Sequence, residues 1–254
     1  MKSCSYCFST EKLTKEHIWP KSLIERNPDF LTYNKVTNSF YKGEAVIKDV
    51  CAKCNNGVLS KLDEYLAELY DSQLENIVVA GSTAGLAYDY NMLLRVLLKI
   101  SFNSARSSGS DKVVKAHQKL ISYILAGTHR GDIMLRLQIV TDSKEYSLGA
   151  ESYRTVKPEV LRCADIGYDG VLANRFMIRL IAINSFWFYL IIPYKKEKPH
   201  KLKEFIEGFS HWGLQPGVLI SPDSSRLNIS VDKTTWFDPR LLGSLLGANP
   251  KKMK

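Results

Sequence analysis

Two Cys-x-x-Cys pairs, Cys4/Cys7 and Cys51/Cys54, bracket the first fifth of the chain with 43 residues between them. Each pair suits a tight knuckle in which two sulfurs reach one ion, and two knuckles supply the four thiolates that tetrahedral zinc favours. Disulfides are the competing use of paired cysteines. The N-terminus, "MKSCSYCFSTEK", lacks the apolar stretch of a secretion signal and no apolar run reaches membrane-spanning length, so a reducing cytoplasm and metal ligation are expected. A four-cysteine site leaves zinc no open coordination position, which makes that zinc structural. It ties the N-terminus to whatever follows Cys54, in a module too small to hold itself by its own core. The fifth cysteine, Cys163 in "VLRCADIG", reads as a small buried hydrophobe.

After the second pair the pattern turns helical. In "NGVLSKLDEYLAELYDSQLE" (56–75), Leu59, Leu62, Leu66 and Leu69 recur at three- and four-residue steps, the signature of an amphipathic helix. Asn55, Asn56 and Gly57 suit its entry. "AGSTAGLAYDYN" (80–91) is small and polar and reads as a linker, which divides the chain into residues 1–75 and 76–254. Beyond it, 92–106 and 111–127 read as helices, the second opened by Asp111 and closed by Gly127. Ile133, Leu135, Leu137 and Ile139 alternate as on a strand. "RFMIRLIAI" and "FWFYLIIP", joined by Asn184-Ser185, read as a β-hairpin of the core. A short helix near 199–209, weak strands near 217–220 and 226–231 and an unstructured tail "NPKKMK" complete an α+β expectation.

Charge separates the two parts. Residues 1–75 hold 10 Lys+Arg against 11 Asp+Glu, whereas residues 76–254 hold 25 against 15. The second part is therefore the expected grip for a polyanion. "YKKEKPHKLK" (194–203) is its densest basic run, and Arg95, Lys99, Arg106, Lys112, Lys115 and Lys119 decorate the two helices. A second use for this part is oligomerisation or a partner subunit.

Between the thiol pairs lies "LTKEHIWPKSL" (13–23). The order C-x-x-C, Glu-His-Ile-x-Pro, then C-x-x-C-Asn at the head of a helix resembles the HNH endonuclease module with zinc-binding cysteines, over about residues 1–70. The resemblance implies a ββα-metal fold gripping one catalytic Mg2+ or Mn2+ and hydrolysing phosphodiester bonds of DNA, with RNA as an alternative substrate. It casts His17 as the general base that activates water, a task suited to imidazole at neutral pH. It casts Glu16 as a metal ligand and Asn55, with Asn56 as competitor, as the helix-borne ligand; hard oxygens of this kind suit those ions. Lys15, Lys48 and Lys61 are the module's candidate phosphate contacts. Restriction or phage defence is the setting that the resemblance implies. Two departures stand out: "GEAVIKDVC" has neither the Asn nor the His that many members use to hold the loop carrying the base, and Val58 stands where many carry Lys. The rival expectation is a non-catalytic, zinc-stabilised nucleic-acid-binding or adaptor protein.

Overall fold

The computed structural model describes residues 2–29, 31–34, 39–42, 45–108, 111–128, 132–146, 153–167, 174–211 and 217–231. The tail 249–254 lies outside them. Strand β1 (Leu13–His17) ends at the Glu16-His17 pair. Pro20 then caps helix α1 (Lys21–Glu25), where its fixed φ and missing N–H are no handicap. An antiparallel hairpin, β2 (Leu31–Asn34) and β3 (Ser39–Lys42), leads to β4 (Val46–Cys51). β4 runs antiparallel to β1, with Leu13 opposite Cys51 and His17 opposite Val46. A bulge interrupts the register between Thr14 and Glu16, placing Lys48 and Asp49 of β4 opposite Lys15. Such bulges re-aim side chains beside functional sites.

The helix after β4 starts earlier than its Asn-Asn-Gly entry suggested. Cys51 is still extended, and α2 (Ala52–Cys54) follows at once. A π-helical turn (Asn55–Leu59) then passes into α3 (Ser60–Leu69), and a second π-turn (Tyr70–Leu74) closes the rod. Asn55 therefore lies inside the helix rather than capping it. The cause is the thiol pair: Cys51 and Cys54 must face one point, and a turn of helix between them does this. Leu59, Leu62, Leu66 and Leu69 are all buried, as their spacing requires.

The segment expected as a linker is structured. Strand β5 (Thr83–Ala87) pairs with a C-terminal strand introduced below, and Ala84, Leu86 and Tyr88 are buried at alternate positions. Helix α4 (Tyr90–Ser108) follows, then α5 (Asp111–Gln118) and α6 (Ile121–Ala126), the last closed by Gly127 at φ +69°. That left-handed geometry suits glycine. The remaining elements are β6 (Met134–Ile139), β7 (Ser143–Tyr146), β8 (Tyr153–Val156), β9 (Leu161–Ile166), β10 (Phe176–Ile183), β11 (Phe186–Pro193), α7 (Pro199–His211), β12 (Val218–Leu219) and β13 (Arg226–Ser230). Among the described residues, five strands form one antiparallel sheet in the order β12-β6-β11-β10-β9, and β13 is the partner of β5. Asn184, at φ +48°, turns the β10–β11 hairpin.

Every residue of β10 and β11 is buried, because both faces of the sheet are covered. Phe176, Ile178, Trp187 and Tyr189 pack with Leu202 and Phe205 of α7. Ile181, Ile183, Phe188 and Leu190 belong to a larger core that also contains α4, the leucines of α3 and Cys4, Tyr6 and Trp19. One apolar core thus runs through the boundary drawn at residue 75, with α4 touching α3, β4, β9 and β10. No helix among the described residues is long and apolar enough to cross a membrane.

The centre of α4 also carries a buried polar chain. Arg179 Nε donates to Ser101 Oγ at 2.9 Å, and Ser101 Oγ lies 2.7 Å from His117 Nε2. His117 Nδ1 lies 2.8 Å from the carbonyl of Val113, which can only accept, so Nδ1 carries the ring proton and Nε2 accepts from Ser101. Arg179 also ion-pairs with Asp165 and donates to Cys163 Sγ at 3.1 Å. Cys163 is therefore half-buried and partnered rather than a simple apolar filler. Burial, the largest influence, and the nearby Arg179 charge lower His117 to about 4. In the unfolded chain His titrates at about 6.5, so this stability is complete above that pH and is lost as pH falls towards 4. By pH 5 the loss is about 2 kcal/mol. Urea titrations at pH 7 and pH 5 should show it in the parent and show it largely missing in His117→Gln; equal losses in both would refute the assignment.

Candidate metal centre and the site beside it

The four thiols expected to share an ion do converge. The Sγ atoms of Cys4, Cys7, Cys51 and Cys54 lie within 4.8 Å of one another, and those of Cys7 and Cys51 are 3.5 Å apart. Tetrahedral zinc at about 2.3 Å from each sulfur requires S···S separations of about 3.8 Å. The backbone N–H groups of Cys51 and Tyr6 point at Cys4 Sγ at 3.3 and 3.5 Å, the support that orients a metal-bound thiolate. Burial works to raise the Cys4 thiol, but the amides of Cys51, Cys7 and Tyr6 outweigh it and hold it at about 7. Burial raises Cys54, and the neighbouring thiols Cys7 and Cys51 add to that. A donor set of four soft sulfurs, three of them buried, fits structural zinc.

The clamp fixes β1 against the helix. Asn55 Nδ2 donates to Thr14 Oγ1 at 2.9 Å and to the carbonyl of Lys15 at 2.8 Å. Asn55 is thus brought to the strand carrying Glu16 and His17, with its amide nitrogen committed to that strand. Asn56, the next residue, is exposed, as are Lys15, Lys48 and Lys61.

Glu16 turns inward. It is 2% exposed, and its Oε1 lies 2.6 Å from Lys99 Nζ and 3.2 Å from Asn103 Nδ2. Lys99, fully buried on α4, also donates to both oxygens of Asp63 on α3, at 2.6 and 2.7 Å. Burial raises the Asp63 carboxyl, and Lys99 pulls against that. Asp63 is also within electrostatic reach of Glu16 and His17, so Glu16, His17, Asp63 and Lys99 form one electrostatic group. Two carboxylates sharing one ammonium retain one net negative charge. Glu16 and Asp63 thus share Lys99 as their counterion.

The cations of α4 therefore do not form an open basic face, whereas Lys112, Lys115 and Lys119 are exposed. Lys99 is spent on the carboxylates. Arg106 binds Asp49 at 2.9 Å, with its guanidinium over Phe102 at 3.9 Å. Arg95 donates to the carbonyls of Ile124 and Leu125 at the end of α6. Lys112 lies over the ring of Tyr194, and Lys119 donates to the Tyr194 carbonyl. The sequence did not single out Asp63 or Asn103. A cleft of about 740 Å3, lined by Tyr88, Tyr90, Tyr123 and Asp223, sits at the opposite end of α4 and contains none of these residues. No protein-family model matches the chain, and neither a curated protein nor a solved structure does.

Proposed function

We propose that the protein is a metal-dependent endonuclease of the HNH type, hydrolysing phosphodiester bonds in DNA. The observation that carries this reading is the approach of the strand bearing Glu16 and His17 to the π-helical turn that begins at Asn55, held by Asn55's bonds to Thr14 and Lys15. His17 acts as the general base. Asn55, with Asn56 beside it, would hold Mg2+ or Mn2+, and the carboxylates of Glu16 and Asp63, which share Lys99, would supply negative charge to the site. When bound, that ion supplies charge neutralisation at the scissile phosphate. The exposed Lys15, Lys48 and Lys61 contact the nucleic-acid backbone, and the exposed Lys195, Lys196, Lys198 and Lys203 extend the grip.

One observation favours a second reading. Because Glu16 is closed off by Lys99 and Asn103, the pair can serve only to dock the zinc module onto α4, leaving a nucleic-acid-binding or adaptor protein. Zinc-loaded protein incubated with supercoiled plasmid and Mg2+ or Mn2+ separates the two. The nuclease reading expects nicking that falls by about 10^2 to 10^4 in His17→Ala with zinc content unchanged. DNA binding without nicking in either metal supports the adaptor and ends the nuclease reading.

A further inference from the structure

Asn103 is fully buried in the middle of α4 and uses its whole hydrogen-bonding capacity. Its Nδ2 donates to the backbone carbonyl of His17 at 3.0 Å and to Glu16 Oε1 at 3.2 Å. Its Oδ1 accepts from Tyr6 Oη at 2.7 Å and from Arg106 Nη2 at 2.9 Å. One amide therefore joins three things that lie far apart in sequence. Tyr6 sits inside the first thiol knuckle, between Cys4 and Cys7. Glu16 and His17 end β1. Arg106 in turn holds Asp49 of β4 at 2.9 Å, and Asp49 accepts from Ser5 Oγ at 2.7 Å.

We propose that Asn103 is a positioning residue for His17: supplied from α4, it locks the peptide that carries the imidazole to the zinc knuckle, a task for which β4 offers neither Asn nor His. This rests on the nuclease reading for its catalytic consequence but not for its geometric one. The amide can do this because all four of its own hydrogen-bonding positions are filled, whereas apolar packing tolerates several arrangements; among the described residues only Arg106 Nη1 of this network is buried without a partner. The donor side is the part that reaches β1. Replacing Nδ2 by oxygen removes the bonds to the His17 carbonyl and to the Glu16 carboxylate, and sets a second carboxylate against Glu16, while leaving an acceptor for Tyr6 and Arg106. Removing the Tyr6 hydroxyl cuts the tie to the knuckle alone and leaves β1 still held.

The test uses the full-length, zinc-loaded protein and the variants Asn103→Asp, Asn103→Ala and Tyr6→Phe. Each is measured for zinc content, plasmid nicking at saturating and limiting DNA, and the ring resonances of His17 by NMR, with His117 as internal control. Expected is one zinc per chain throughout, and a kcat reduced about a hundredfold in Asn103→Asp and Asn103→Ala with KM moved by less than about twofold, the scale of a small misplacement of a reacting group. The His17 ring signals should shift or split in both, with those of His117 unmoved, and Tyr6→Phe should show a smaller change in the same direction. If the Asn103 variants fail to fold, Tyr6→Phe decides: an unchanged His17 spectrum and rate overturn the proposal. If the parent does not nick DNA at all, the nuclease reading fails by itself, and the His17 spectrum still judges Asn103; unmoved ring signals in a folded Asn103→Asp overturn it.

Discussion

Removing the zinc, by chelation or by Cys54→Ser, should unfold the whole chain in one transition rather than fray an N-terminal module. Two features make the effect large. Apparent binding free energies of structural zinc are about 10–16 kcal/mol in small zinc-dependent peptides, comparable to the entire stability of ordinary domains, about 5–15 kcal/mol. The knuckle is also a wall of the main core: Tyr6 meets Phe102 edge-on with ring centroids 5.3 Å apart, and Cys4, Cys51 and Leu59 share that core with α4. Without the clamp, Tyr6 and the strand behind it lose their anchor, and α4 loses the surface that buries its polar stripe. Metal analysis paired with thermal unfolding monitored by circular dichroism checks this. A Cys54→Ser protein that keeps one zinc and melts within about 2 °C of the parent, a difference of about 1 kcal/mol or less, would contradict it.

Lys99→Met should cost about 3–5 kcal/mol, the scale of breaking a buried ion pair from one side. The ammonium is fully buried and touches Glu16 and Asp63, whose side chains are 3% and 27% exposed. Its loss leaves Glu16 buried with the amide of Asn103 as its remaining described partner, and the two carboxylates then repel across the space that the ammonium filled. The double variant Lys99→Met/Glu16→Gln should recover more than half of the loss, because the burden lies in the uncompensated charge rather than in missing bulk. Denaturant midpoints for the parent, both single variants and the double variant measure this. A Lys99→Met protein as stable as the parent would mean that the ammonium does not sit between the carboxylates.

What the sequence made legible was local. Two short thiol spacings announce a shared ion, the leucine steps announce the buried face of α3, and Asn184-Ser185 between two apolar runs announces a hairpin. The misreadings were of residues whose partners lie elsewhere in the chain. Lys99 and Arg106 looked like a phosphate-facing row, yet α4 is apolar on nearly all sides around them: Leu97, Leu98, Ile100 and Phe102 are fully buried. A helix apolar all round is buried, and its polar residues at positions 99, 103 and 106 must then find partners inside. That signal was present in the sequence, but it could not say that the partners are Glu16, Asp63, His17 and Asp49. The segment 80–91 misled by its small residues, although Ala84, Leu86 and Tyr88 alternate as a half-buried strand does. The inward turn of Glu16 was invisible, since it depends on Lys99 arriving from 83 residues away.

The nuclease reading requires a hard divalent ion beside His17, at the end of β1 away from the thiol cluster. Mn2+ added in sub-stoichiometric steps to zinc-loaded protein tests it directly, because a paramagnetic ion erases the NMR signals of nearby rings first. With five histidines in the chain, the account predicts that the His17 ring resonances vanish before the others. Persistence of the His17 signals while another histidine, or none, is broadened would contradict it.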